Sequence, residues 1–225
     1  MRVLESEQAV RLEPAQPARA AVIWLHGLGA DGHDFVPIVP ELNLPPELAV
    51  RFVFPHAPVR PVTINGGMRM RAWYDIYSLT RGDRQDEAGI RASAAIAQGF
   101  IEEQVSAGIA RNRIVLAGFS QGGAIALHTG LRQTAALAGI LALSTYLPIH
   151  DRLPAELTAA GRATPILMCH GLYDPVLPLQ LGADTRDGLR GFGCHVEWRD
   201  YPMQHQVCAE EIADISAWLR ARLAG

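Results

Sequence analysis

The sequence predicts an α/β fold with a mostly parallel central sheet and helices on both faces. Short β-rich runs alternate along the chain with longer stretches of helical periodicity, an order typical of parallel sheets. Most of the short runs are apolar at nearly every position, as in strands that are covered on both sides. In addition, one such run passes through a glycine-rich corner, GFSQGG at 118–123, directly into an apolar helix.

The predicted elements follow in chain order. The inner strands are Ala20–Leu25, Val50–Phe54, Arg113–Ala117, Ala138–Leu143 and Pro165–Cys169. A sixth strand, Cys194–Tyr201, alternates apolar with polar residues, which places it nearer an edge of the sheet. The helices are Arg84–Val105, Gln121–Arg132, Leu179–Leu189 and Val207–Leu223. Residues 57–83 show little regular pattern, and we expect a long irregular loop with a functional role there.

Composition limits the classes of function. The 225 residues are 49% hydrophobic and 19% charged, which predicts a single compact domain over 1–225 with no room for a large cap domain. The net charge of −3 indicates no electrostatic attraction to nucleic acid or anionic lipid. The N-terminus lacks the apolar run of a secretory signal, and no segment approaches the roughly 18 apolar residues of a membrane span. Cys169, Cys194 and Cys208 lack the spacing of a metal or redox site, so we expect structural thiols and a cytoplasmic location.

The GFSQGG corner predicts a nucleophilic serine. A G-x-S-x-G sequence alone is weak, but here it joins an apolar strand to an apolar helix, the context of a nucleophile elbow. Gly118 and Gly122 remove side chains that would collide in the tight turn, and the helix N-terminus favours negative charge beside Ser120. The alternative is an ordinary turn in which the serine hydroxyl faces water.

A serine nucleophile needs a base, and the base needs an acid that orients it. At the carboxyl ends of parallel strands, both partners are expected in loops after later strands, in the order Ser, acid, His. Asp174 lies in a short loop just after an apolar strand, followed by a proline. Asp200, near the end of the sixth strand, is the rival. The remaining candidates, which lie in predicted helix or connecting loop, are Asp151, Asp184 and Asp187.

His205 is the candidate base, because it lies between the sixth strand and the final helix. The other histidines after Ser120 lie in a helix, in loops or on the polar face of a strand; they are His128, His150, His170 and His195. The oxyanion of acyl transfer needs two preset donors. We expect these to be the backbone N–H groups of Gln121 and of Leu28, in the HGLGADG loop after the first predicted strand. That loop lacks the G-x-G-x-x-G spacing of a dinucleotide site.

With these residues in view, the chain resembles the phospholipase/carboxylesterase family of small α/β-hydrolases, which includes carboxylesterases and acyl-protein thioesterases. The resemblance runs from about 20 to 219, and its marks are HGLGADG, RAWYDI, GFSQGG, LSTYLP, HGLYDPVLP and the His205 loop. It implies an α/β-hydrolase fold with Ser120, Asp174 and His205 as the triad and with Leu28 and Gln121 as oxyanion donors. Thr145 and Gln204 stand where glycine is common. Neither is expected to touch the triad chemistry, and both are expected to affect the acyl pocket.

The resemblance also implies an apolar groove for an acyl chain. Its candidate walls are Leu28, Trp73, Ile76, Tyr146 and Leu177, for which ordinary core packing is the alternative. The predicted function is a serine carboxylesterase that hydrolyses short to medium acyl esters, or thioesters, through an acyl-enzyme, with no metal or cofactor and no stable membrane insertion. A homodimer is common in the family. The alternatives are an acyl-protein thioesterase or lysophospholipase activity, a dienelactone-hydrolase-like activity, and a non-catalytic protein that binds acyl ligands.

Overall fold

The computed structural model describes residues 1–78 and 84–224, and within them the main feature is an eight-stranded sheet. The strands of these residues are β1 (Arg2–Glu5), β2 (Ala9–Glu13), β3 (Ala20–Leu25), β4 (Val50–Pro55), β5 (Val59–Val62), β6 (Met68–Arg71), β7 (Ile114–Phe119), β8 (Gly139–Leu143), β9 (Ile166–Gly171) and β10 (Val196–Tyr201). The α-helices are α1 (Glu87–Ser106), α2 (Gln121–Gly130), α3 (Leu153–Glu156), α4 (Ala159–Ala163), α5 (Leu179–Gly191) and α6 (Ala209–Leu223).

The strands of the main sheet lie in the order β1-β2-β4-β3-β7-β8-β9-β10. Within this sheet, in the order given, every neighbouring pair from β4 to β10 is parallel, whereas β1 with β2 and β2 with β4 run antiparallel. The carboxyl ends of β3, β7, β8, β9 and β10 therefore meet at one edge of the sheet. The predicted mostly parallel sheet is confirmed, and β10 lies at its border as its mixed polarity indicates.

Helices cover both faces of this sheet. Alternate residues of each inner strand belong to two separate apolar cores: Ile23 and Leu116 pack on the side of α1 and α2, whereas Val22 and Val115 pack on the side of α6. Both cores are needed because the inner strands are apolar on both faces, and each face left in water would expose a row of aliphatic side chains.

Two parts of the chain were not anticipated from the sequence. No strand was assigned to residues 1–13, although β2 alternates buried Val10 and Leu12 with half-buried Arg11 and Glu13. The expectation of an irregular loop over 57–83 is wrong for part of that segment, because β5 and β6 pair as an antiparallel hairpin outside the main sheet. The turn between them holds Gly66 and Gly67 at φ 67° and 78°. Residues 79–83 of the same expectation lie outside the described residues.

The helix ends follow local chemistry. Asp86 lies just before α1 as its N-cap and accepts a hydrogen bond from the Gly89 N–H at 2.9 Å, so the helix begins three residues later than predicted. Helix α6 begins after Cys208, two residues later than predicted, and carries Glu210 and Glu211 in its first turn. These shifts leave the four predicted helices in place.

No helix in the described part of the chain has the length and apolarity that crossing a bilayer requires. All three cysteines are free thiols, with Cys169 and Cys194 buried and Cys208 half-buried. The burial of Cys169 raises the pKa of its thiol, so that thiol stays protonated and unreactive.

Substitutions at Gly122 and Gly99 form a matched test of the contact between α2 and the end of β3. A methyl group at Gly122, in α2, would overlap the backbone carbonyl of Leu25 at the end of β3, so we expect Gly122→Ala to lower the free energy of unfolding by about 3 kcal/mol or more. Gly99 is exposed in α1 and an added methyl there meets nothing, so Gly99→Ala should raise the free energy of unfolding by about 0.5–1 kcal/mol. Urea unfolding measures both. Equal effects of the two substitutions would contradict this account of the α2 contact.

Candidate active site

The predicted catalytic residues and the loop with Leu28 follow the carboxyl ends of parallel strands. Ser120 follows β7 in the middle of the sheet, Asp174 follows β9, and His205 follows β10. The loop that contains Leu28 follows β3, which is the other neighbour of β7. Segments far apart in sequence are thus brought to one edge of the sheet, where α/β proteins of this type bind ligands.

The Ser120 corner is a strained turn between β7 and α2. Ser120 has φ 53° and ψ −119°, a left-handed backbone conformation that is costly for a residue with a side chain. The backbone N–H of Ser120 donates to the Leu143 carbonyl at 2.8 Å, which anchors the corner to the end of β8. An added methyl at Gly118 would overlap the backbone of Gly122, so this tight turn requires glycine at 118. The hydroxyl is consequently held clear of the backbone.

Ser120, His205 and Asp174 form a continuous hydrogen-bonded chain. His205 Nε2 lies 3.0 Å from Ser120 Oγ, and His205 Nδ1 lies 2.7 Å from Asp174 Oδ2. With Nδ1 protonated toward the carboxylate, Nε2 is left as the acceptor of the serine proton. The Phe119 ring packs against the imidazole, with ring centroids 4.8 Å apart, and limits its rotation.

Asp174 is fixed from the side opposite His205. Its side chain is fully buried, and Oδ1 accepts hydrogen bonds from the backbone N–H groups of Val176 and Leu177 at 2.9 and 2.8 Å. With the contact to His205, three hydrogen bonds compensate for the removal of this carboxylate from water. The two backbone bonds also leave Oδ2 free to face the imidazole.

The rival residues have other positions. Asp200 is exposed and accepts a hydrogen bond from the Trp198 indole at 2.9 Å. His170 is buried and donates from Nε2 to the Leu177 carbonyl at 2.8 Å, while its burial lowers its pKa. His128 is buried in α2, where desolvation lowers its pKa to about 4. Neither histidine contacts Ser120.

The two residues expected to supply the oxyanion donors line one cavity together with the serine. Leu28, Ser120 and Gln121 line the same cavity, and a methyl added at Gly27 would come within 3.6 Å of Ser120 Cβ. Within the residues the structure describes, neither the Leu28 nor the Gln121 backbone N–H donates a hydrogen bond. Two amide donors beside one hydroxyl are what a developing oxyanion requires.

The loop that carries Leu28 is braced by His26. Its Nδ1 donates to the Gly27 carbonyl at 2.7 Å, and its Nε2 accepts from the Ala57 N–H at 3.0 Å, which defines one neutral tautomer. Burial lowers the pKa of His26 to about 4, so the ring stays neutral at physiological pH. The Gly29 N–H donates to the Arg71 carbonyl at 2.9 Å and fixes the far side of the loop.

Over most of its length this chain is similar to a known protein family. Residues 6–223 match a family model described as Phospholipase/Carboxylesterase. The chain belongs to this family. Acyl-protein thioesterase 1 of Neurospora crassa is 42% identical over 214 residues, covering 91% of this chain and 87% of that protein. The protein of the same name from Yarrowia lipolytica is 38% identical over 221 residues, covering 96% of this chain and 97% of its own.

Solved structures show the same fold. The crystal structure of Arabidopsis thaliana SOBER1 matches with a TM-score of 0.87 and 29% sequence identity, covering 92% of this chain and 100% of that one. Zea mays acyl-protein thioesterase 2 matches with a TM-score of 0.86 and 27% identity, covering 96% and 99%. This phospholipase/carboxylesterase family member is therefore a hydrolase with the α/β-hydrolase fold.

A mostly apolar cavity of about 350 Å³ opens onto Ser120 and His205. Four of the five expected wall residues line it: Leu28, Ile76, Tyr146 and Leu177. Trp73 does not, because its side chain is fully buried behind the cavity and its indole N–H donates to the His26 carbonyl at 2.9 Å. The structure therefore corrects its placement from groove wall to core, and the indole's hydrogen bond explains why a tryptophan is accommodated there.

The contacts of two polar side chains at the corner were missed from the sequence. The side chain of Gln121 accepts from the Trp73 N–H and donates to the Tyr74 carbonyl, both at 2.7 Å, and so ties the 73–74 segment to the residue after Ser120. Thr145 Oγ1 donates to the Ser120 carbonyl at 2.7 Å. Thr145, which is expected not to touch the triad chemistry, therefore contacts the backbone of Ser120 and not its hydroxyl. Gln204, the other departure from the family pattern, is exposed.

In residues 1–78 and 84–224, no group of three or more His, Cys, Asp or Glu side chains is placed to hold a metal ion. The reactive groups at the cavity are instead a hydroxyl, an imidazole and a carboxylate in hydrogen-bond contact. That combination is suited to nucleophilic catalysis of acyl transfer.

Proposed function

We propose that this protein is a serine carboxylesterase that hydrolyses short to medium acyl esters through an acyl-enzyme intermediate. The observation that carries the proposal is the hydrogen-bonded chain from Asp174 Oδ2 through both nitrogens of His205 to Ser120 Oγ, at 2.7 and 3.0 Å. A nucleophile, its base and the group that orients the base are in reach of one another without rearrangement.

In the first half-reaction, Ser120 Oγ attacks the substrate carbonyl carbon while its proton passes to His205 Nε2. The carbonyl π electrons move to oxygen, and the N–H groups of Leu28 and Gln121 stabilise that oxyanion. Each such donor is worth about 2.7–4 kcal/mol in related chemistry. Collapse of the intermediate expels the alcohol or thiol, which takes the proton from His205, and leaves the acyl group on Ser120.

In the second half-reaction, water replaces the leaving group. His205 Nε2 accepts a proton from that water as its oxygen attacks the acyl carbon, and returns the proton to Ser120 Oγ as the acid departs. Asp174 stabilises the imidazolium formed in both halves and holds Nδ1 as the protonated nitrogen. Its two backbone hydrogen bonds keep it in place throughout.

The cavity supports the proposed chain length. A volume of about 350 Å³ lies near the lower end of the range of small-molecule sites, about 300–1,000 Å³. Its walls are largely aliphatic and aromatic, with Ile64 and Ile76 beside Tyr146 and Leu177, which suits an unbranched acyl chain. Thioesters are a second substrate class, supported by the relatives that are named acyl-protein thioesterases.

A fluorophosphonate probe separates an esterase from a protein that only binds acyl ligands. Attack of Ser120 Oγ on phosphorus expels fluoride and leaves one stable adduct, so we expect a mass increase of one probe on the peptide that contains Ser120. Ser120→Ala should remove the adduct, whereas Ser78→Ala, in a serine outside the proposed site, should not. Complete absence of labelling in the wild-type protein would support the non-catalytic alternative.

A panel of p-nitrophenyl esters and acyl thioesters of graded length defines the substrate. We expect kcat/KM to be greatest for short to medium chains and to fall by at least about tenfold for the longest chains, which exceed the cavity. The two series with matched acyl groups determine whether oxygen or sulfur leaving groups are preferred. A kcat/KM that rises steadily to the longest chain would contradict the chain-length proposal.

A further inference from the structure

The side chain of Thr145 makes an unassigned contact with the backbone of the proposed nucleophile. Thr145 lies two residues after the end of β8 and is 1% exposed, and its Oγ1 donates to the Ser120 carbonyl at 2.7 Å. A residue 25 positions away in sequence thus supplies a hydrogen bond to the corner itself. The chemistry proposed above uses the Ser120 hydroxyl and the Gln121 N–H, but it assigns no role to this bond.

The contact acts on the peptide unit between Ser120 and Gln121. That unit is planar and trans, so the Ser120 carbonyl and the Gln121 N–H point in opposite directions from one rigid plane. Fixing the carbonyl oxygen consequently fixes the direction of the N–H. We propose that Thr145 is a positioning residue that orients the Gln121 N–H toward the oxyanion, an inference that rests on the function proposed above.

Because the backbone at Ser120 is strained, this peptide unit needs a second hydrogen bond to hold it in place. Ser120 has φ 53° and ψ −119°, a conformation that the local chain does not favour by itself. The first turn of α2 supplies one anchor, since the Ala124 N–H donates to the same Ser120 carbonyl at 3.1 Å. The Thr145 hydroxyl occupies the second acceptor position of that oxygen and opposes rotation of the plane.

The surroundings of Thr145 make it a rigid donor. Its neighbour Ser144 has φ 44°, and the Ser144 N–H donates to the Cys169 carbonyl at 2.8 Å, so the backbone that carries Thr145 is tied to β9. A methyl added at Gly123 would lie 2.8 Å from Thr145 Cβ, so the absence of a side chain in α2 makes room for the threonine. A glycine at 145 would leave that space empty and would offer no side-chain donor to the Ser120 carbonyl.

The Gln121 side chain holds the other end of the same unit. Its amide pairs with the Trp73 N–H and the Tyr74 carbonyl, both at 2.7 Å, which fixes the Cα from which the Gln121 N–H projects. The peptide unit is thereby held at its carbonyl by Thr145 and at its far Cα by the 73–74 segment. Preset donors of this kind need no reorganisation as charge develops.

Thr145→Ala and Thr145→Ser form a matched pair, because both lose the methyl group and only the serine keeps the hydroxyl. With a short-chain p-nitrophenyl ester, we expect Thr145→Ala to lower kcat about tenfold, less than the 10²–10³ that follows loss of a whole donor. KM should stay within about twofold, since the bond acts on the transition state. Thr145→Ser should retain kcat within about twofold of wild type.

An oxyanion probe provides a readout that general weakening of the core would not move. Ser120 Oγ attacks the carbonyl carbon of an alkyl trifluoromethyl ketone, and the serine proton passes to His205. The ketone oxygen then becomes the oxyanion. The inhibition constant should rise about tenfold in Thr145→Ala and little in Thr145→Ser. If Thr145→Ala does not fold, Thr145→Val repeats the test. It is measured in the same way, on protein that circular dichroism shows to be folded.

The outcomes separate this inference from the proposed function. Wild-type kcat and inhibition constant in Thr145→Ala, with Ser120→Ala inactive, would overturn the role of Thr145 and leave the nucleophile in place. A loss in Thr145→Ala that Thr145→Ser shares would also overturn it, because the hydroxyl would not be the cause. Wild-type hydrolysis by Ser120→Ala would instead overturn the proposed function, and with it the role of Thr145.

Discussion

Ser120→Ala is expected to lower kcat for ester hydrolysis by about 10⁴–10⁶ and to leave the fold intact. The substitution removes the attacking oxygen, whose hydrogen bond is to His205 Nε2. Both residue types bear a Cβ, so the left-handed conformation at 120 is no less tolerable for alanine than for serine. Steady-state kinetics with a p-nitrophenyl ester, together with thermal unfolding, measure both parts of the expectation.

Ser216→Ala is the matched control for that experiment. Ser216 Oγ lies in α6, is buried and donates to the Leu42 carbonyl, outside the proposed site. Its loss should lower the free energy of unfolding by about 1 kcal/mol and leave kcat per folded molecule within about twofold of wild type. Near wild-type kcat in Ser120→Ala would remove the assignment of the nucleophile, whatever the control shows.

The layout of the sheet was predictable because its signals are local. Ala20–Leu25 is apolar at all six positions and forms an inner strand buried on both faces. Cys194–Tyr201 mixes polar and apolar residues, and β10 lies at the border of the sheet. Once the strands are parallel, their carboxyl ends share one edge, so loops after β7, β9 and β10 converge irrespective of their separation in sequence. The proximity of Ser120, Asp174 and His205 follows from this geometry.

The parts that were missed depend on pairing or on side-chain direction. The β5–β6 hairpin has exposed Met68 and Arg69 and no alternation that marks a strand, and its informative signal is the Asn65-Gly66 pair at the turn. Trp73 was expected at the cavity, but the direction of its indole is set by the carbonyl of His26, a residue distant in sequence. The Thr145 bond to Ser120 likewise joins two loops, and no spacing within either of them encodes it.

The polar contacts behind the reacting groups are therefore visible only in the three-dimensional structure, whereas the reacting groups themselves can be predicted from the sequence. A nucleophile elbow requires glycines at set offsets, and this constraint is visible in GFSQGG. The groups that hold the elbow need only present a donor from the right direction, and many residue types at many positions satisfy that requirement. Gln121 illustrates both cases: its backbone role is set by its position after Ser120, and the partners of its side chain are visible only in the fold.

Asp174→Asn is expected to lower kcat by about 10⁴ while the geometry of the site is retained. Oδ1 of Asp174 accepts two backbone hydrogen bonds, so the asparagine oxygen should take that place and its NH₂ group should face His205 Nδ1. An NH₂ donor there requires Nδ1 to be the unprotonated nitrogen. The proton then lies on Nε2, which no longer accepts the proton of Ser120 Oγ.

Asp200→Asn is the matched control, because Asp200 is the other carboxylate that the sequence places near the end of a neighbouring strand. It is exposed and bonds to the Trp198 indole, and its substitution should leave kcat within about twofold of wild type. If Asp200→Asn lost activity and Asp174→Asn kept it, the assignment of Asp174 as the acid that orients His205 would be wrong. If both kept it, the His205 tautomer would not depend on a carboxylate, and the 2.7 Å contact between Asp174 Oδ2 and His205 Nδ1 would have no catalytic consequence.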